Sequence, residues 1–119
     1  MRVLAFEDKT DIEAMLIDGG VDVSQLVFEQ RWSSEDAIEV IREFSPEVLL
    51  LDHFMPPMRG LAVLKAVNEA VADGGLARPT TIVGMSSANF ANFAMLDEGA
   101  DQAILKFDLA SLDLWPRRG

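Results

Sequence analysis

Apolar residues along the chain alternate between two spacings, one suited to strands and one to helices. Arg2 to Phe6 is a short apolar run ending at Glu7-Asp8. Ile12, Met15 and Leu16 then recur at helical spacing, and Gly19-Gly20 is a helix stop. Gln25 to Gln30 sets Leu26 and Phe28 against Glu29, the mixed pattern of a strand at a sheet edge. Ser33 or Ser34 is placed to cap a second helix, with Glu35 and Asp36 in its first turn. Ala37, Val40, Ile41 and Phe44 form its buried stripe, and Pro46 ends it. Val48 to Asp52 brings four apolar residues straight into a carboxylate, and such an unbroken run suits a strand buried on both faces.

A third helix is predicted from about Gly60, with Leu61, Leu64, Val67 and Val71 on one face and Asp73-Gly74-Gly75 at its end. Thr80 to Ser86 reads as a fourth strand, and Phe90, Phe93 and Ala94 predict a short fourth helix closing near Gly99. Gln102 to Lys106 is the fifth strand. Leu109 to Trp115 is a stub of helix stopped by Pro116. Strands alternating with helices imply one α/β domain over residues 1–119, a parallel sheet joined by right-handed crossovers with helices on both faces. No output domain is expected beside it.

Charge narrows the partners. Twenty acidic residues against 10 basic ones give a net charge of −10, a surface that repels nucleic acid and anionic membranes. Arg117 and Arg118 read as a solvated basic tail. The absence of cysteine removes disulfide, thiol and cysteine–zinc chemistry, and a single histidine argues against a histidine-rich metal centre. No apolar run approaches the ~20 residues that span a bilayer, and no basic-then-apolar leader opens the chain. A cytoplasmic location is expected.

The polar residues at the predicted carboxyl ends of strands change the reading from fold to chemistry. Glu7 and Asp8 follow the first strand, Asp52 the third, Ser86 and Ser87 the fourth, and Lys106 the fifth. In open α/β sheets such loops meet along one edge. Three carboxylates there raise each other's pKa unless a cation sits among them, and an all-oxygen donor set suits Mg2+. A carboxylate beside such an ion, with a lysine and a hydroxyl opposite, is equipped to accept a phosphoryl group as an aspartyl phosphate. In that arrangement Asp52 is the nucleophile. Asp8, Asp52 and the Phe54 backbone carbonyl bind the metal directly, and Glu7 acts through water. Lys106 and Ser86 each take a phosphoryl oxygen; Ser86 is preferred over Ser87 because it leaves fewer gaps before Gly99.

The whole chain resembles the receiver domains of two-component response regulators. Glu7-Asp8 matches the family's acidic pair, and Asp52-His-Phe-Met-Pro-Pro-Met-Arg-Gly60 matches its D-x-x-M-P-x-M-x-G signature. Met85-Ser86-Ser87 matches the switch hydroxyl region, and Gly99-Ala100-Asp101 followed by Lys106 matches the last segment. The resemblance implies a chemotaxis-regulator-like, flavodoxin-like doubly wound sheet of five parallel strands in the order 2-1-3-4-5. It also implies a phosphorelay role, with a histidine kinase or histidine phosphotransfer protein upstream and a protein target downstream. A signalling domain rather than an enzyme is expected, as a monomer or weak homodimer.

Three residues depart from the family pattern. Glu7 opens the acidic pair in place of Asp, Ala103 stands where a switching aromatic is usual, and Phe107 follows Lys106 where proline is usual. Because a cis bond before a non-proline residue costs about 3–4 kcal/mol, the Lys106–Phe107 peptide is predicted to be trans. With no aromatic at Ala103 to follow the hydroxyl inward, the response is expected to run through the loop from Ser87 to Phe93. The rival to phosphorelay is a receiver-fold adaptor that binds without phosphorylation. A phosphatase of the aspartate-nucleophile type would need an acid two residues after Asp52, where Phe54 stands. His53 is assigned to packing or surface because neighbours on a strand point opposite ways. Phe90, Phe93, Trp115 and the methionines are assigned to the core.

Overall fold

The computed structural model describes residues 1–119. Five parallel strands form one sheet: β1 (Arg2–Phe6), β2 (Val27–Arg31), β3 (Val48–Leu51), β4 (Thr81–Gly84) and β5 (Gln102–Ala103). Their spatial order is β2-β1-β3-β4-β5. The intervening helices are α1 (Ile12–Asp18), α2 (Ala37–Phe44), α3 (Gly60–Ala72) and α4 (Asn89–Asp97). β2 lies at an edge, as its mixed pattern requires, and β3 is central with every residue buried.

Side-chain alternation divides the core in two. Leu4, Phe6, Leu49, Leu51 and Ile82 face α2, α3 and α4, where Ile41, Leu64, Val67 and Met95 meet them. Val3, Ala5, Leu50 and Val83 face the other way, onto Ile12 and Leu16 of α1 and onto Leu109 and Trp115. Both faces of the sheet are therefore covered, although β5 has shrunk to two residues and no fifth α-helix follows it.

The predicted helical stub at Leu109–Trp115 is instead a 3-10 segment spanning Lys106–Ser111, followed by irregular chain. This segment holds its place through single contacts. The Trp115 indole, buried as expected, donates to the Leu109 carbonyl at 2.9 Å. Gly19 admits the segment, since a Cβ there would collide with Ala110. The two terminal arginines are not a free tail. Arg117 donates to the Gly19 and Ala110 carbonyls and Arg118 to the Ile17 carbonyl, placing cations on the negative end of α1.

Other expectations shift locally. Neither Ser33 nor Ser34 caps α2; the N-cap position falls on Asp36, which has a left-handed backbone (φ 55) and makes no side-chain cap. In α3 the buried face is Gly60, Val63, Leu64 and Val67, with Leu61 and Val71 only partly covered. Phe90 and Phe93 are not core: they are 67% and 64% exposed, while Ala91, Asn92 and Met95 turn inward. Met55, Met85 and Met95 are buried, whereas Met1 is exposed. The single cis peptide is Pro56–Pro57, and Lys106–Phe107 is trans.

Candidate functional site

The strand register sets the site. β1 and β3 pair through Phe6↔Leu51, so the residues that follow, Glu7 and Asp52, leave the sheet side by side. Both are buried, Glu7 completely and Asp52 to 2% exposure. Carboxylate oxygens of Glu7, Asp8 and Asp52 lie within 4.8 Å of one another. Lys106, buried to 8% exposure, enters from beyond β5 with its Nζ 2.7 Å from Glu7 Oε1 and 3.7 Å from Asp52 Oδ2. One ammonium thus serves two buried acids, and it sits closer to the glutamate.

That asymmetry appears in the proton affinities. Burial pushes Glu7 upward, but Lys106 and the amides of Lys9 and Thr10, both 2.8 Å from Oε2, outweigh it and leave the group below the ordinary glutamate range. Asp52 moves the other way, to about 6, because burial and the charge of Glu7 exceed what Lys106 returns. Asp8 Oδ1 and Asp52 Oδ1 are buried with no hydrogen-bond partner. Unpartnered carboxylate oxygens converging in this way fit a hard cation, which would neutralise their repulsion and occupy their free lone pairs.

The loops at this edge are each held by one polar side chain whose bracing role the sequence pattern does not reveal. Gln30 of β2 donates from Nε2 to the Glu7 and Thr10 carbonyls and accepts from the Ile12 amide, fixing the loop between β1 and α1. Ser34 is fully buried; its Oγ donates to the Met58 carbonyl and accepts from the Met58 amide, both at 2.7 Å, which pins the proline loop after Asp52. Asn92 of α4 accepts from the Ser86 amide and donates to the Ser86 and Ile104 carbonyls, tying the end of β4 to the end of β5. Alternation at the β2 edge hints at Gln30. Ser34 and Asn92 leave no periodic trace.

Gly60 is the residue that lets α3 begin where it does, because a Cβ there would run into the Asp52 carbonyl. Phe54 is 43% exposed, and its ring meets His53 edge-on at 4.8 Å and Phe90 at 6.0 Å. His53 is buried, stays out of the acidic cluster, and lines a cavity with Arg59, Leu61 and Phe90. Beyond β4, Ser86 is fully buried with Oγ accepting from the Ala88 amide at 3.1 Å, and Ser87 is exposed. Ala103 lies in the abbreviated β5, and Phe107 is 73% exposed.

No family model matches the chain. Over 110 residues it is 36% identical to the transcriptional regulatory protein DltR of Streptococcus agalactiae, a match covering 89% of this chain and 45% of DltR. The chain therefore spans about half the length of the curated relatives it matches. The response regulator domain of Thermotoga maritima CheB superposes with a TM-score of 0.65 at 27% identity, over 89% of this chain and 78% of that one. The receiver domain of the Arabidopsis thaliana histidine kinase CKI1, solved with Mg2+ and BeF3−, gives a TM-score of 0.68 at 17% identity, over 92% and 85% of the two chains. Sequence likeness, strand order and the acidic edge agree: the chain belongs to the response-regulator receiver domains of two-component signalling.

Proposed function

We propose that this receiver accepts a phosphoryl group on Asp52 and reports it by protein contact. The observation that carries the reading is the buried Asp52 carboxylate, set among Glu7 and Asp8 with one oxygen unpartnered and Lys106 at 3.7 Å from the other. The donor is a phosphohistidine on a histidine kinase or histidine phosphotransfer protein. An Asp52 oxygen forms the new P–O bond as the donor's P–N bond breaks, and the electron pair returns to the imidazole nitrogen, which is protonated from solvent.

Asp8, Asp52 and the Phe54 carbonyl would hold Mg2+, with Glu7 acting through water, and the ion would supply charge neutralisation for the phosphoryl oxygens. Lys106 in the free protein is the counter-charge of Glu7, so the arriving phosphoryl group competes for it. The Ser86 Oγ accepts from the Ala88 amide, which leaves its O–H free to donate to a phosphoryl oxygen. One such charge-assisted bond is worth about 1.5–3 kcal/mol. A swing from 1:99 to 99:1 needs about 5.5 kcal/mol, so Ser86 and Lys106 must act together for a full response.

The test is direct. Incubation with Mg2+ and a small phosphodonor should add one phosphoryl mass, and Asp52→Asn should abolish it. A protein that binds Mg2+ but gains no mass at saturating donor is the phosphorylation-independent adaptor instead. The two-residue β5 and the alanine at position 103 are what favour that second reading.

A further inference from the structure

Helix α4 is inside out. Its polar Asn92 is 5% exposed, while Phe90, Phe93 and Leu96, spaced i, i+3 along the helix, are 67%, 64% and 41% exposed. Aromatic side chains of this size represent substantial unburied apolar area, and an outward stripe of them on an acidic protein signals an interaction surface. Beside the stripe, α3 and α4 enclose a groove of about 350 Å³, in the size range of ligand pockets. Leu61, Ala62, Phe90, Ala91 and Ala94 supply its apolar lining, and His53, Arg59 and Lys65 complete it.

The charge on its rim identifies the partner. The chain carries 20 acidic and 10 basic residues, yet the charged residues lining this groove are both basic. Neither Arg59 nor Lys65 takes part in an ion pair. Two free cations flanking an apolar trough on a protein of net charge −10 are complementary to an acidic segment with apolar anchors. A two-fold pairing of this face with itself would instead set basic rim against basic rim.

We propose that the α3–α4 groove docks an acidic amphipathic helix of a partner protein, with Phe90 as the aromatic wall and Arg59 and Lys65 as the charge clamp. Two connections join the groove to the acidic edge. The Phe54 ring meets His53 and Phe90 edge-on, and Asn92 fastens α4 to the Ser86 backbone. The groove is therefore coupled to the state of Asp52, a coupling that rests on the phosphoryl-acceptor reading. Movement of Ser86 toward a phosphoryl oxygen shifts α4 against α3 and changes the width of the trough.

A random peptide library displayed on phage, selected on the protein with Mg2+ and beryllofluoride as the phosphoryl mimic, is the probe. Enriched peptides are expected to carry Asp or Glu around two apolar residues at helical spacing. Lys65→Glu is expected to weaken their binding about tenfold or more, Lys65→Met less, and Ala94→Arg to block it by filling the trough. Lys65 is exposed, so its substitutions leave the core intact. Failure to enrich any peptide, enrichment of basic or neutral ones, or affinity unmoved by both the Lys65→Glu and Ala94→Arg variants would overturn the docking site. Equal affinity with and without beryllofluoride would overturn the coupling alone. The phosphoryl-acceptor reading is judged separately, by the Asp52 mass adduct.

Discussion

At the carboxyl ends of β1 and β3, charged residues are buried: Glu7 and Asp52 are shielded from water and share the ammonium of Lys106. At α4 the reverse holds, with Phe90 and Phe93 facing solvent around a buried amide. Each region breaks the usual partition of polar and apolar side chains, but in opposite directions. A buried charge is retained where chemistry requires it and must be compensated from within. An exposed aromatic needs no internal partner, and it leaves apolar surface available for a contact outside the chain. The acidic edge thus concentrates charge away from water, and α4 leaves apolar surface in contact with it.

The contrast can be tested most severely at Lys106. Replacing it with Ala strips both buried acids of their counter-charge, and a loss of about 3–5 kcal/mol in urea unfolding without divalent cations is expected. Mg2+ should restore part of it. A loss below about 1 kcal/mol would mean that the cluster is not held together by charge.

Asn92→Ala comes next, because it orphans the Ser86 amide and two carbonyls in a buried position. About 2 kcal/mol of destabilisation is expected. Amide hydrogen exchange should rise at Ser86 and not at Lys9 or Thr10. Uniform change across both loops would show that Asn92 does not act locally.

The pH dependence of Asp52 separates function from stability. Its carboxyl titrates near pH 6 in the fold against 3.8 for an unperturbed aspartate, so the folded protein holds this proton more tightly than the unfolded chain does. The resulting destabilisation is full above pH 6, shrinks between 6 and 3.8, and vanishes below. Asp52→Asn should therefore raise the Tm in chelator at pH 7–8, with the gain fading as pH falls toward 4. Thermal scans that show a constant gain, or none, contradict the burial argument. The smallest effect belongs to α4: Phe93→Ser should change stability by no more than about 0.5 kcal/mol, since the ring is 64% exposed. A large loss on unfolding would mean that the aromatic stripe supports the fold.

The same contrast explains which residues the sequence made legible. Asp52 stood out because a carboxylate ends an unbroken apolar run, and Glu7, Asp8 and Lys106 stood out because they occupy strand ends on one side of an alternating fold. Those are one-dimensional signals with a simple geometric consequence. Phe90 and Phe93 misled because aromatic residues at helical spacing normally mark a buried face, and here the inward positions went to Ala91, Asn92 and Met95. Ser34 was misplaced for a related reason: a serine before a helix suits a cap, yet its hydroxyl is spent on the Met58 backbone.

By itself, the sequence determined the alternating architecture, the five strand positions and the acidic edge, since hydrophobic periodicity and the order of strand ends are properties of the chain read in line. Only the tertiary structure decided that Lys106 favours Glu7 over Asp52, that Gln30, Ser34 and Asn92 brace the three loops, and that Arg117 and Arg118 close onto α1. Each of those outcomes depends on one polar side chain and the few contacts it makes to other elements. Such contacts recur at no period and follow from the need of buried backbone groups for a partner, which is settled only when the elements have packed.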